Sequence, residues 1–169
     1  NVNIISDEIH SDLIQKPYHH THLSSLSPEL MERTVTLIAP TKTFNIAGIV
    51  SSYCIVPNEE LRNHFFSYLS ANEFDMATIF AMTATEAAFT KGEEWRKQMI
   101  SYIEGNIDFV EEYLKANIPE ITIMKPQASY LVWMNFSKLG LEHSALVDML
   151  INKARLAMND GAMFGKEGE

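Results

Sequence analysis

A chain of 169 residues that is 46% hydrophobic and 21% charged has the composition of one ordinary globular domain or two small ones, and not of a disordered segment. Its 13 lysines and arginines stand against 22 acids, a formal net charge of −9, which argues against nucleic acid and against an anionic membrane surface as partners. No apolar run reaches the roughly 20 residues of a membrane helix, and no signal peptide is recognisable. The single cysteine, Cys54, cannot make an intrachain disulfide; it reads as a small buried hydrophobe and fits a reducing, cytoplasmic location.

The β-branched run at 2–5 predicts a buried strand that ends in the polar group Ser6-Asp7-Glu8. Residues 15–27, with Pro17, three histidines and several serines, read as a loop. Ser27-Pro28-Glu29 is a helix start, with serine as N-cap and proline in the first turn. A strand is predicted at 34–38, a polar connection at 39–48 and a third strand at 49–56, stopped by Pro57. Asn58 caps a helix with Leu61, Phe65 and Leu69 on one face. The stretch from about 75 to 90 is apolar nearly all round and predicts a buried helix ended by Gly92. A long amphipathic helix is predicted from about Glu94 to Lys115.

From Pro119 the texture changes. Strands are predicted around 121–123 and 130–136, an amphipathic helix at 142–154, and a last short strand at 156–158 before the Asp160-Gly161 turn. Short strands with intervening helices predict an α/β first part, residues 1–92, and an α+β second part, residues 93–169. The chain opens on strand-like sequence without methionine and ends without an obvious stop, so a piece of a longer protein is expected.

Two positions invite chemistry. Asp7 follows an apolar strand, where open α/β sheets place their ligands. A carboxylate there is either an ordinary surface acid or the partner of a protonated heterocyclic nitrogen. Lys42, in Ala39-Pro-Thr-Lys-Thr-Phe-Asn-Ile-Ala-Gly48, also follows a strand. It is either a solvated loop lysine or an amine that binds an aldehyde cofactor covalently. Thr41 and Thr43 offer hydroxyls for a phosphate. His10 lies three residues past Asp7, either as a packed neutral histidine or on the same cofactor. His19, His20 and His22 lack cysteine partners and regular metal-site spacing, so they read as a solvated loop and no metal is expected.

Together, Asp7-Glu8-Ile9-His10-Ser11-Asp12-Leu13 and Thr41-Lys42-Thr43-Phe44-Asn45-Ile46-Ala47-Gly48 resemble the fold-type I pyridoxal-phosphate enzymes, and within them the MalY/PatB group of aminotransferase-like carbon–sulfur β-lyases. The likeness runs on through Asn72, the Trp95 helix and Pro126–Trp133, over essentially the whole chain. It implies an aspartate-aminotransferase-like fold, with 1–92 as part of the large cofactor-binding domain and 93–169 as a truncated small domain. It implies pyridoxal 5'-phosphate as cofactor, with Asp7 on the pyridine nitrogen and Lys42 as covalent attachment point and proton-transfer base. Thr41 would lie on the phosphate side. His10 stands where related aminotransferases carry a tyrosine near the ring hydroxyl. Relatives often have a donor serine three residues before the lysine; here that residue is Ala39.

The activity implied is β-elimination from cystathionine- or cysteine-like amino acids, giving thiol, pyruvate and ammonia. Aminotransferase activity, or a non-catalytic regulatory role on the same scaffold, are the alternatives. A homodimer is implied for the whole protein. The carboxylate-binding arginine and the ring-stacking aromatic are expected outside these residues, so this stretch alone would lack parts of the site.

Overall fold

The computed structural model describes residues 2–168. Strand β1 (Ile4–Asp7) runs parallel to β2 (Thr34–Ile38), with Ile4 opposite Thr34 and Asp7 opposite Leu37. Strand β3 (Tyr53–Ile55) pairs antiparallel with β2, Cys54 opposite Leu37, so the order is β1-β2-β3. The central strand is the most buried: Thr34, Val35, Thr36 and Ile38 are all within the core. β1 starts two residues later than its β-branched run predicts and includes Asp7, because its partner sets the ladder. The Ile4 N–H donates to the Arg33 carbonyl, immediately before β2 begins.

Parallel neighbours need a crossover, and residues 8–33 supply it. Helix α1 (Pro28–Met31) closes that crossover, with Ser27 Oγ accepting from the Leu30 N–H at 3.2 Å, as the serine–proline signal predicts. The stretch after β2 departs from expectation. Pro40–Thr43 forms one turn of helix, α2, and Ala47–Ile49 a 3-10 turn. Val50 then takes a left-handed conformation (φ 49°, ψ 76°), strained for a β-branched residue and incompatible with a ladder. The strand predicted from Ile49 is therefore delayed to Tyr53.

Helix α3 (Glu59–Ala71) begins where Asn58 Oδ1 accepts from the Leu61 N–H at 2.8 Å. Helix α4 (Ile79–Lys91), capped by Thr78, is not buried all round as its composition predicts. Ala81 and Ala88 are its buried residues, while Ile79, Phe80 and Met82 are 70%, 77% and 58% exposed. Its contact stripe is made of small side chains two turns apart, which lets the backbone approach its neighbours and leaves the large side chains on the other faces. Helix α5 (Glu93–Asn117) follows Gly92 directly. A Cβ on Gly92 would lie 2.5 Å from Phe44 Cε1 and 2.4 Å from the Ala88 carbonyl oxygen. The missing methyl thus admits the Phe44 ring, whose centroid is 5.6 Å from Phe89 and 6.0 Å from Trp95.

Contacts divide the chain into two compact units, one of residues up to Phe109 with Lys125–Val132, the other of Val110–Met124 with residues from Trp133 onward. The division falls inside α5, later in the chain than 92–93, and places 125–132 with the first unit. Leu13, Val35, Ile38, Val56, Ile100 and Ile107 are buried in the first unit. In the second, β4 (Thr122–Met124) pairs antiparallel with β5 (Trp133–Asn135), a shorter strand than predicted. Helix α6 (His143–Asp148) continues into a π-helical turn, Met149–Lys153. The strand expected at 156–158 does not form. Arg155 takes a positive φ of 54°, and the Leu156 N–H is spent on the Leu150 carbonyl, closing the helix end.

Ile38 and Ile55 both lie in the first sheet but differ in exposure, 6% against 48%. Ile38→Ala should cost about 2–5 kcal/mol, since deletion in a close-packed core loses transfer energy and leaves a cavity. Ile55→Ala should cost well under half as much. Urea denaturation of the two variants measures the contrast; equal losses would contradict the burial of β2.

Candidate functional site

Because β1 and β2 are parallel, their carboxyl ends lie at the same edge of the sheet, where ligands of open α/β sheets sit. Asp7 is the last residue of β1. β2 ends at Ile38, the buried Ala39 remains extended, and α2 starts at Pro40, so Lys42 is held in the first turn beyond the strand. The structure thus brings Asp7 and Lys42 to adjacent strand ends. Asp7 is exposed, and its Oδ1 accepts from the Ile9 N–H at 3.2 Å. Lys42 is half-buried. Among the described residues no carboxylate forms an ion pair with it. An amine not held in an ion pair is open to bond an aldehyde.

The two threonines flanking Lys42 differ. Thr41 is half-buried and its carbonyl accepts from the Ile46 N–H. Thr43 is fully buried, and its Oγ1 has no hydrogen-bond partner among the described residues; Thr36 Oγ1 shares that condition. Ala39, at the N-cap position of α2, offers no side-chain acceptor or donor.

His10 is half-buried, with Nδ1 3.1 Å from Ser129 Oγ and its ring 5.8 Å from that of Tyr130. These partners arrive from far along the chain. The Gln15 N–H donates to the Gln127 carbonyl, the Ser129 N–H donates to the Leu13 carbonyl at 2.7 Å, and Gln15 Nε2 donates to the Ser129 carbonyl at 3.0 Å. Ser129 takes a positive φ of 68° within this stitch. No local signal in the sequence joins His10 to Ser129.

The residue that the sequence reading passed over is Glu8. It is buried, and its carboxylate accepts four hydrogen bonds. Ser6 Oγ and the Leu23 N–H donate to Oε1 at 2.9 and 3.1 Å; His20 Nε2, at 2.8 Å, and His22 Nδ1 converge on Oε2. The solvated-loop reading is therefore corrected for His20 and His22, whose rings are committed to Glu8 although partly exposed; His19 remains exposed. Burial raises the Glu8 pKa, but the bonds from His20, His22, Leu23 and Ser6 outweigh it and hold the group at about 2. The only sequence signal was an acid at a strand end with a His-x-His pair 12 and 14 residues downstream.

Comparison with known proteins follows the same geometry. No protein-family model matches the chain. Cystathionine beta-lyase PatB of Bacillus subtilis is 40% identical over 168 residues, which are 99% of this chain and 43% of PatB. A pyridoxal-phosphate-bound putative aminotransferase from Clostridium difficile 630 superposes with a TM-score of 0.95 at 42% identity, over 99% of this chain and 43% of that one. Cystalysin from Treponema denticola, which contains a pyridoxal 5'-phosphate cofactor, superposes at 0.93 with 34% identity, over 98% and 42%. The fold is that of part of a fold-type I pyridoxal-phosphate-dependent transferase. The chain is homologous to the MalY/PatB group of carbon–sulfur lyases, and it spans less than half the length of the relatives it matches. Among the described residues no helix is long and apolar enough to cross a membrane.

The Glu8 geometry gives a pH dependence. Its folded-state pKa, about 2, lies below the ordinary 4.5. Its contribution is therefore fully present above pH 4.5 and is lost as pH falls toward 2, amounting to roughly 3 kcal/mol at 1.36 kcal/mol per pKa unit. The stability gap between the wild type and Glu8→Gln, measured by urea denaturation at intervals from pH 7 to pH 2.5, should narrow across that window. A constant gap would show that the carboxylate charge plays no part.

Proposed function

We propose that the protein of which this chain is part is a pyridoxal-phosphate-dependent carbon–sulfur β-lyase acting on cystathionine- or cysteine-like amino acids, releasing thiol, pyruvate and ammonia. The observation that carries the reading is the 40% identity to a cystathionine beta-lyase across 99% of the chain. The placement of Asp7 at the end of β1 and of Lys42 just beyond the parallel β2 supports it.

The residues present fit the cofactor by their chemistry. Among the described residues Lys42 offers a primary amine without an ion-pair partner, and Asp7 an exposed carboxylate with one backbone donor. The orphaned Thr43 hydroxyl lies in the same helical turn as Lys42. The cofactor, when bound, supplies an aldehyde and an electron-withdrawing ring. Lys42 Nζ would hold the cofactor covalently and would take up the substrate's α-proton, a transfer that requires hydrogen-bond reach as well as basicity. Asp7 would hold the cofactor's ring nitrogen through a charge-assisted hydrogen bond to its carboxylate. His10, steadied by Ser129, would help hold the cofactor's ring hydroxyl, and Thr41 its phosphate. We read residues 1–92 as part of the large domain and 93–169 as most of the small one, with a homodimeric whole protein in the cytoplasm.

Aminotransferase activity is the second reading, favoured by the superposition on a putative aminotransferase. It uses the same amine and carboxylate and differs after the α-proton is removed. L-Cystathionine offered to the purified protein without any keto acid separates the two. Pyruvate and thiol at sustained turnover are expected; turnover only when a keto acid is added would replace the lyase by the aminotransferase. Lys42→Ala should abolish the visible absorbance of the covalently held cofactor and lower turnover by several orders of magnitude. An unchanged spectrum in that variant would remove Lys42 from its role.

A further inference from the structure

A second group of functional side chains stands beside the proposed cofactor residues and takes no part in their chemistry. Glu8 Oε2, His20 Nε2 and His22 Nδ1 lie within 4.8 Å of one another, and no ion is present. We propose that Glu8, His20 and His22 form a binding site for a first-row divalent cation of the zinc class. The proposal stands independently of the lyase reading.

The donor set is two imidazoles and one carboxylate, which suits zinc and its transition-metal neighbours and not calcium or magnesium, whose ligands are oxygens. The carboxylate is buried, with 5% of its side chain exposed, so it is held in place without a metal. Its two oxygens are used differently. Oε1 is occupied by Ser6 Oγ and the Leu23 N–H, while among the described residues Oε2 meets only the two histidines. That is the arrangement of a metal-binding carboxylate, in which outer hydrogen bonds orient the ligand and leave one oxygen for the ion.

The histidines come from an extended segment, His20-Thr21-His22, with His22 at φ −63° and ψ 133°. Their rings meet edge to face, centroids 4.7 Å apart, so both reach one point from different directions. Around a tetrahedral ion with ligand bonds of about 2.0–2.1 Å, neighbouring ligand atoms are about 3.4 Å apart. His20 Nε2 and Glu8 Oε2 are 2.8 Å apart, so admission of an ion requires an outward movement of the ring by roughly half an ångström. With 29% of the His20 and 48% of the His22 side chain exposed, the rings can move and water can reach the fourth position. The ion replaces the ring protons that otherwise point at Oε2: a singly protonated imidazole carries its proton on the opposite nitrogen instead, and a doubly protonated one releases one proton to solvent.

The test uses purified protein stripped with chelator and then freed of it. Titration with zinc chloride in a calorimeter should show one ion per chain with a dissociation constant in the micromolar range or below. Cobalt(II) should give the intense visible bands of a tetrahedral site. His20→Gln and His22→Gln should each weaken zinc at least tenfold and abolish the cobalt bands, while His19→Gln, a change at an exposed neighbouring histidine, should leave both unaltered. His22→Gln changes the more exposed ligand and keeps the test open if Glu8 variants fail to fold. Absence of saturable zinc binding in the wild type would overturn the proposal. So would binding that survives both glutamine variants or depends on His19. Variants that lower thermal stability while zinc leaves the wild type unshifted would likewise overturn it, reducing the cluster to a hydrogen-bonded latch.

Discussion

The parallel register of β1 on β2 positions the candidate groups of the first unit. Parallel strands share an edge at their carboxyl ends, so the side chain that closes β1 and the turn that follows β2 are delivered to the same side of the sheet. Asp7 stands opposite Leu37, and four residues beyond Ile38 the chain has already turned through α2 to present Lys42. β2 carries this arrangement because it is the central strand and is buried along nearly its whole length. The turn after it is fixed from the other side by Phe44, whose ring occupies the space that Gly92 leaves and sits among Phe89 and Trp95.

Two consecutive acids at the end of β1 meet opposite fates for a simple reason. Successive side chains along a strand point to opposite faces. Asp7 emerges exposed, with one backbone donor, and keeps most of its hydrogen-bonding capacity for a partner. Glu8 turns inward and is satisfied by four donors drawn from 6, 20, 22 and 23. A buried carboxylate without them would cost several kcal/mol or take up a proton. Its bonds to the crossover loop tie residues 20–23 to the strand end, next to the residue proposed to meet the cofactor.

Fold and chemistry separate at the level of the reaction. In the proposed site the same amine and carboxylate would serve either elimination or transamination, and the scaffold is shared by proteins named for both. What distinguishes them is the fate of the substrate after proton removal, which depends on groups around the substrate and not on the strand ends themselves.

Local structure was legible wherever the cause was local. The Ser27-Pro28 and Asn58 caps, the 34–38 strand and the long helix from 93 follow from capping chemistry and hydrophobic period, and the structure places them within a residue or two. The Asp7 and Lys42 segments were legible as a pair, through resemblance, since neither alone is a motif. Errors fell where a distant partner decides. Composition predicts burial for α4, but burial depends on which faces neighbours cover, and only Ala81 and Ala88 are buried. The strands expected at 49 and at 156 yield to positive φ at Val50 and Arg155, a backbone choice that side-chain pattern does not encode. Residue types alone leave His20 and His22 as loop histidines and Glu8 as a polar strand end. Only the crossover's path brings the three together, because donors separated by 12 and 14 residues become neighbours through tertiary folding and not through any spacing along the chain.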